Sequence, residues 1–443
     1  MSIQQHPSQR KTRTASRIPA GPRRKFAWVL LVIAAAIAAI QLFAQPVVSR
    51  EPVTVTVLIQ ALEARRWQPL IEKFEVENPD IHLEAIEGPN VTNQVEDLYT
   101  SSFLLGNSPY DLVYMDIVWV PKFAAAGWLR PLDDRVSEAE LAQHLAGDIA
   151  GGTYQGSLYR MPFRSDGGML YYRTDLLAAA GKRPPETFSE LMETAKELQQ
   201  QGEVTWGYLW QGKQSESMAA MFVEVLQGYG GFWVNPDTLE VGLDGDEAIA
   251  AVEFLRSTVE QGISPPDVTT FAEEETRLIF QSGRAAFLRN WPYVIGLAAE
   301  ANAPIQGNFE IKPMVHAPGQ QSGSCLGGWG FGIAKTSQHP EEAWRVIRFF
   351  SSEPMQREFT LNYSYVPSLK SLFTDPQIVA KYPHYPELLE AIENSALRPP
   401  IAQYAQASDI LQRYLSAALT DRMTPEDAMS AAANETRRLL GRY

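Results

Sequence analysis

Glu63 and Asp116 each follow a short apolar run, Val53–Ile59 and Asp111–Met115, and a helical period separates these runs from each other. In an open parallel sheet the ligand crevice lies beyond the carboxyl ends of the strands. Both carboxylates are therefore candidate ligand contacts, able to accept hydrogen bonds from a bound molecule. Position alone leaves a second reading open for each, as a helix N-cap or a solvated loop acid. Trp329 follows Gly327-Gly328, where missing side chains let another group approach the backbone closely. The run Glu273-Glu274-Glu275 reads as a solvated helix start and is given no role. Other chemistries are poorly provided for: the chain has no G-x-S-x-G turn, no H-E-x-x-H and no phosphate-binding glycine loop. The six histidines have no metal-building close spacing, and Cys325 is the sole cysteine, which excludes an internal disulfide framework and a thiolate cluster. Neither a cofactor nor a metal is expected.

The elements that must position these residues form an α/β pattern. Val53–Ile59 reads as a buried strand, and Trp67, Leu70, Ile71 and Phe74 make the apolar stripe of the helix that follows. A strand at 81–86, a helical stretch at 91–105 and a strand at 111–115 complete βαβαβ, hence a parallel sheet. A strand is expected at 161–174, then a helix opened by the capping box Thr187 and Glu190. A second α/β region continues through a helix at 246–261 and a strand at 285–288, and from about Glu341 the pattern is helical. With no repeat and no low-complexity linker, two lobes joined by strands are expected.

Residues 1–50 hold eight Lys or Arg and no acid, and an apolar run from Phe26 to Ile40 follows most of them. This is the pattern of an export signal, or of a retained N-terminal membrane anchor, and it places the rest of the chain in the periplasmic or extracytoplasmic space. Arg23-Arg24 preceded by Pro22 resembles a twin-arginine signal in part. The remainder carries 30 basic against 52 acidic residues, a surface that repels nucleic acid and anionic lipid. A nucleic-acid partner is therefore not expected.

An ordered set of strings resembles the sugar-binding proteins of ABC importers, the maltose-binding type (family 1 solute-binding), and most closely the trehalose/maltose branch. The strings are Tyr114-Met115-Asp116 with Trp119, Gly127-Trp128-Leu129 before Pro131-Leu132-Asp133, Leu170-Tyr171-Tyr172-Arg173 and Trp210-Gln211-Gly212-Lys213-Gln214. Asn290-Trp291-Pro292-Tyr293, Leu326-Gly327-Gly328-Trp329 and Arg398-Pro399 follow in order. The resemblance implies a two-lobed periplasmic-binding-protein fold (type II, hinge-bending) with a ligand cleft between lobes. The chain would cross between them at about 163–167, 312–317 and 334–337. Residues 51–163 with about 316–334 would form lobe 1, and about 167–312 with 337–443 lobe 2. Carried over by position, Glu63, Asp116, Asp166, Trp291, Gly328, Trp329, Arg398 and Tyr404 look like the branch's sugar contacts. Arg164, standing where the branch tends to an aromatic, is a further candidate, and Val95 replaces an expected basic residue. Both departures bear on which sugar is taken.

These residue types suit a hydroxyl-rich ligand. Each hydroxyl that leaves water needs a partner, and carboxylates accept while guanidinium forks donate. Trp291, Trp329 and Tyr404 can lie against the C–H faces of a sugar ring. The function implied is the substrate-binding subunit of an ABC importer, performing no chemistry. It would capture a small sugar or glycoside of the trehalose, maltose, sucrose or glucosylglycerol class, and deliver it as a monomer to permease transmembrane subunits coupled to a separate ATPase. The rival readings are a glycoside-processing enzyme using a carboxylate pair such as Asp116 and Asp166, and a receptor for a non-sugar solute.

Overall fold

The computed structural model describes residues 51–300 and 302–441 together with Ile33; apart from Ile33, the expected export segment falls outside the described residues. Strand β1 (Val53–Gln60) leads into the helix Ala61–Glu77, which buries Trp67, Leu70, Ile71 and Phe74, the stripe expected from their spacing. Strand β2 (Ile81–Gly88), the helix Thr92–Leu104 and strand β3 (Leu112–Asp116) follow. The pairs β1–β2 and β1–β3 are parallel, with Val53 opposite Ile81 and Val57 opposite Leu112.

After a small hairpin of β4 (Thr153–Tyr154) and β5 (Ser157–Leu158) the chain enters β6 (Met161–Gly167) and then β7 (Met169–Arg173). The remaining strands are β8 (Trp206–Leu209), β9 (Ala285–Asn290), β10 (Phe309–Lys312), β11 (Leu326–Ile333) and the short β12 (Val366–Pro367). They form a large sheet of order β12-β6-β11-β3-β1-β2 and a small sheet of order β10-β7-β9-β8. Each sheet is the centre of one lobe.

The strand expected over 161–174 is thus two strands in different sheets, divided at Gly168. A β-carbon on Gly168 would lie 1.7 Å from Oε1 of Glu224, so only glycine lets the chain pass over that buried side chain. The first crossing between lobes is here, at the end of the expected 163–167. The second is later than expected: His316 and Ala317 still bond to the small-sheet lobe through the carbonyls of Glu186 and Gly228, and the chain passes over between 318 and 325.

The third expected crossing, at 334–337, is corrected by the structure. The helix Pro340–Phe350 buries Val346, Ile347 and Phe350 beneath the large sheet. Phe350 stacks on Trp67 with centroids 5.0 Å apart and meets Phe331 of β11 at 5.6 Å. Val366 of β12 then pairs with Ser165 at the sheet edge. Only after residue 393 does the chain leave, and the helices Tyr404–Leu419 and Pro425–Leu439 pack on the helices Glu216–Gly228 and Asp246–Glu260 of the other lobe. The three crossings lie side by side: the Ser324 hydroxyl donates to the Gly168 carbonyl at 3.2 Å, the Ala396 N–H to the Ser324 carbonyl at 3.0 Å, and the Leu326 N–H to the Ala396 carbonyl at 2.9 Å.

Candidate functional site

Pairing register builds the large-sheet wall of the site. Trp329 of β11 sits opposite Asp116 of β3 on one side and Arg164 of β6 on the other, and Gly327 sits opposite Asp166. Residues facing each other across strands project to one face, so Asp116, Trp329 and Arg164 form a row on the cleft side, with Asp166 two residues along from Arg164. Gly328 lies between these positions with φ +134, and a β-carbon there would lie 2.8 Å from the Arg164 carbonyl. Its glycine identity is a backbone requirement of the wall.

Two guanidinium groups organise the acids. Arg164 Nη2 donates to Glu63 at 2.8 Å, Nη1 pairs with Asp166, and Nε donates to the Tyr114 hydroxyl at 3.1 Å. The guanidinium also lies 4.7 Å from the Tyr365 ring centroid and 5.6 Å from that of Trp329. Glu63, in the first turn of its helix, further accepts the Trp67 indole N–H at 3.2 Å. Asp116 takes the capping role and also lines the cavity. Its Oδ1 caps the turn Ile117–Trp119 through the Val118 N–H at 3.2 Å, and it pairs with Arg398 at 3.0 Å while lining the cavity.

Arg398 comes from the third crossing and reaches both lobes, donating also to Glu216 at 2.6 Å. Glu216 opens the helix Glu216–Gly228, is held by the Ser408 hydroxyl at 2.6 Å and the Tyr404 hydroxyl, and lines the cavity. Tyr404 itself is buried behind Glu216 and does not line the cavity, which corrects its expected place as a ring platform. Its phenol is engaged by the carboxylate, so it acts by fixing Glu216.

Trp291, immediately after β9, supplies the indole of the small-sheet side. Its ring lies 4.2 Å from the Arg289 guanidinium, its Nε1 donates to Glu273 at 3.3 Å, and a β-carbon on Gly327 would be 3.1 Å from its ring. Gly327 thus leaves room for the Trp291 ring from the other side. Trp329 is more enclosed than expected of a platform, 6% exposed and packed at 5.3 Å against Trp119. The trio Glu273-Glu274-Glu275 does begin a helix, but all three line the cavity instead of facing only solvent. Glu274 accepts the Tyr293 hydroxyl at 2.6 Å and pairs with Arg277.

The cavity measures about 290 Å³ and brings together Glu63, Asp116, Arg164, Asp166, Trp291, Gly328, Trp329 and Arg398. Sequence reasoning missed Glu216 and the polar set Gln60, Asn90, Asn93 and Lys213, which it also includes. Two buried polar atoms, Asp166 Oδ1 and Arg398 Nε, have no hydrogen-bond partner among the described residues. Burial pushes the Asp166 carboxyl up to about 6, with Arg164 opposing and Glu63 and Asp116 adding to the shift. Burial likewise raises Glu216 against the pull of Arg398 and its two hydroxyl donors. Burial works against the charge of Arg398, but Asp116 foremost among its neighbours holds its proton more tightly than usual. The arrangement can grip a ligand through fixed acceptors and donors around an indole face.

Comparison with known proteins bears on the family and the fold. A family model described as bacterial extracellular solute-binding protein matches residues 60–357. A "Probable ABC transporter-binding protein" of Deinococcus radiodurans is 27% identical over 368 residues, which is 81% of this chain and 87% of its own length. The maltotriose-binding protein of Pyrococcus abyssi is 24% identical over 323 residues, 72% of this chain and 67% of its own length. The maltose-bound MalE3 of T. maritima superposes with a TM-score of 0.84 at 34% identity, covering 87% of this chain and 100% of that one. With a family match over more than half its length and a two-lobed counterpart along nearly all of the described residues, this chain belongs to the bacterial extracellular solute-binding proteins.

Proposed function

We propose that the chain is the substrate-binding subunit of an ABC sugar importer. It captures a mono- or disaccharide-sized sugar or glycoside, of the trehalose, maltose, sucrose or glucosylglycerol class, outside the cytoplasmic membrane and hands it to a permease. The observation that carries this reading is the cavity between the lobes, where acids paired with guanidinium groups line the space beside the Trp291 indole. A ring of hydroxyls entering it needs both acceptors and donors, and the lining offers both kinds at once. Relatives described as binding maltotriose and maltose support the same class. Glu63, Asp116, Asp166, Trp291, Trp329 and Arg398 are the proposed contacts. Arg164 orients Glu63 and Asp166, Gly328 shapes the wall and Tyr404 supports Glu216.

The lobes proposed are residues 52–167 with 326–393, and residues 169–317 with 404–441. Residues 1–50 are proposed as export signal or anchor. The pairing of Asp116 with Arg398 and of Asp166 with Arg164 supports a receptor over a glycosidase that would use these two carboxylates as acid and base. Calorimetric titration of the purified protein with a panel of sugars and polyols tests the reading, with saturable binding of at least one member expected. Absence of binding to every member, or release of cleaved product from a labelled disaccharide, would overturn it.

A further inference from the structure

The helix Glu216–Gly228 lacks a cap of its own. Its N-cap residue Ser215 has no capping bond among the described residues, and the Ser215 hydroxyl donates instead to the Lys213 carbonyl at 3.2 Å. The Glu216 N–H is met from the other lobe: it donates at 2.9 Å to Oδ1 of Asn93, in the first turn of the helix Thr92–Leu104. The Glu216 side chain is meanwhile fixed within its own lobe by Ser408 and Tyr404, so this backbone N–H is a rigid target. Arg398 makes a second tie at the same residue, joining Glu216 to Asp116 of the large-sheet lobe. Both ties are formed by the chain's own groups and need no ligand.

We propose that Asn93 is a positioning residue, a helix cap supplied in trans whose bond to the Glu216 N–H exists only when the lobes are together. It therefore sets how much of the ligand-free protein is already closed. The inference rests on the reading of the cleft as a site that closes around its ligand. When the lobes part, the N–H exchanges Asn93 for water, so the bond contributes the net worth of one hydrogen bond, about a 2- to 12-fold bias in the closed-to-open ratio. A binding-competent population changed by that factor changes apparent affinity by up to the same factor while closed molecules are the minority.

The test uses the full chain carrying spin labels at two exposed positions on opposite lobes, Ser101→Cys and Leu278→Cys, with the distance distribution measured without ligand. Asn93→Ala is expected to move this distribution toward longer distances, and Asn93→Asp, which keeps the acceptor oxygen, to return it toward the parent. An Asn93→Ala distribution identical to the parent would overturn the proposal. Weakened sugar affinity with an unchanged ligand-free distribution would also overturn it, making Asn93 a ligand contact only. Failure of every sugar to bind would remove the proposed substrate, while the ligand-free distances would still decide the latch.

Discussion

Replacing Arg398 with methionine removes the cation that joins Asp116 to Glu216 and leaves both carboxylates buried. Arg398 is 3% exposed and spends its two terminal nitrogens on these acids at 3.0 and 2.6 Å, so water does not take its place without local opening. Breaking such a buried network from one side costs about 3–5 kcal/mol. An unfolding entropy of roughly 2.1 cal/mol/K per residue over the folded body gives about 0.8 kcal/mol/K, and the melting temperature is expected to fall by about 4–6 °C at pH 7. The triple variant Arg398→Met, Asp116→Asn, Glu216→Gln removes the stranded charges as well and is expected to melt above the single variant, since the three residues form one coupled network. Scanning calorimetry of wild type, single and triple variants measures both. A single variant melting with the wild type, or a triple variant melting below the single, would refute the reasoning that these charges depend on one another.

Three further outcomes are expected. Trp291→Ala removes a partly exposed indole worth about 1.5–3 kcal/mol of burial against a ligand, so sugar affinity should weaken about 10- to 150-fold in calorimetric titration with little change in melting; unchanged affinity would take the ring out of the site. Gly328→Ala places a β-carbon 2.8 Å from the Arg164 carbonyl at φ +134, a strain of about 1–3 kcal/mol that should lower the melting temperature by about 1–4 °C, and an unshifted melt would refute the assigned strain. Asp148, fully buried behind β6, has its carboxyl pushed by burial up to about 7 from 3.8, with Arg160 opposing. Between these values the folded chain holds a proton that the unfolded chain releases, so stability falls as pH rises from about 4 to 7, by about 4 kcal/mol. Asp148→Asn should make that slope shallower, leaving the part that the raised Asp166 carboxyl contributes below about pH 6, and melt above wild type at pH 8; melts across pH 4 to 8 with an unchanged slope would refute the assignment.

The first lobe's core was legible because its signals are local. The stripe of Trp67, Leu70, Ile71 and Phe74 has a helical period, the flanking runs are apolar, and the acids at the strand ends fell into the cavity. The capping box at Thr187 and Glu190 likewise forms as its spacing requires. What stayed hidden depends on partners distant in sequence. A helix at 340–350 reads the same whichever sheet it covers; its place is decided by Phe350 meeting Trp67 and by the two-residue strand β12, too short and too proline-marked to be read. Glu216 and Glu273 resemble ordinary acids in a first helical turn, and only their opposition to Arg398 and Trp291 makes them part of the site. Tyr404 failed for the converse reason, since its carry-over fixed its neighbourhood but not that its hydroxyl faces a carboxylate.

The hydrogen bonds linking Gly168, Ser324 and Ala396 also constrain kinetics. Three tethers laced together resist sliding and torsion between the halves, leaving rotation about a single line as the soft coordinate. Every swing then brings Trp291 back over Gly327 in the same alignment, so capture is a search along one angle and not over many orientations.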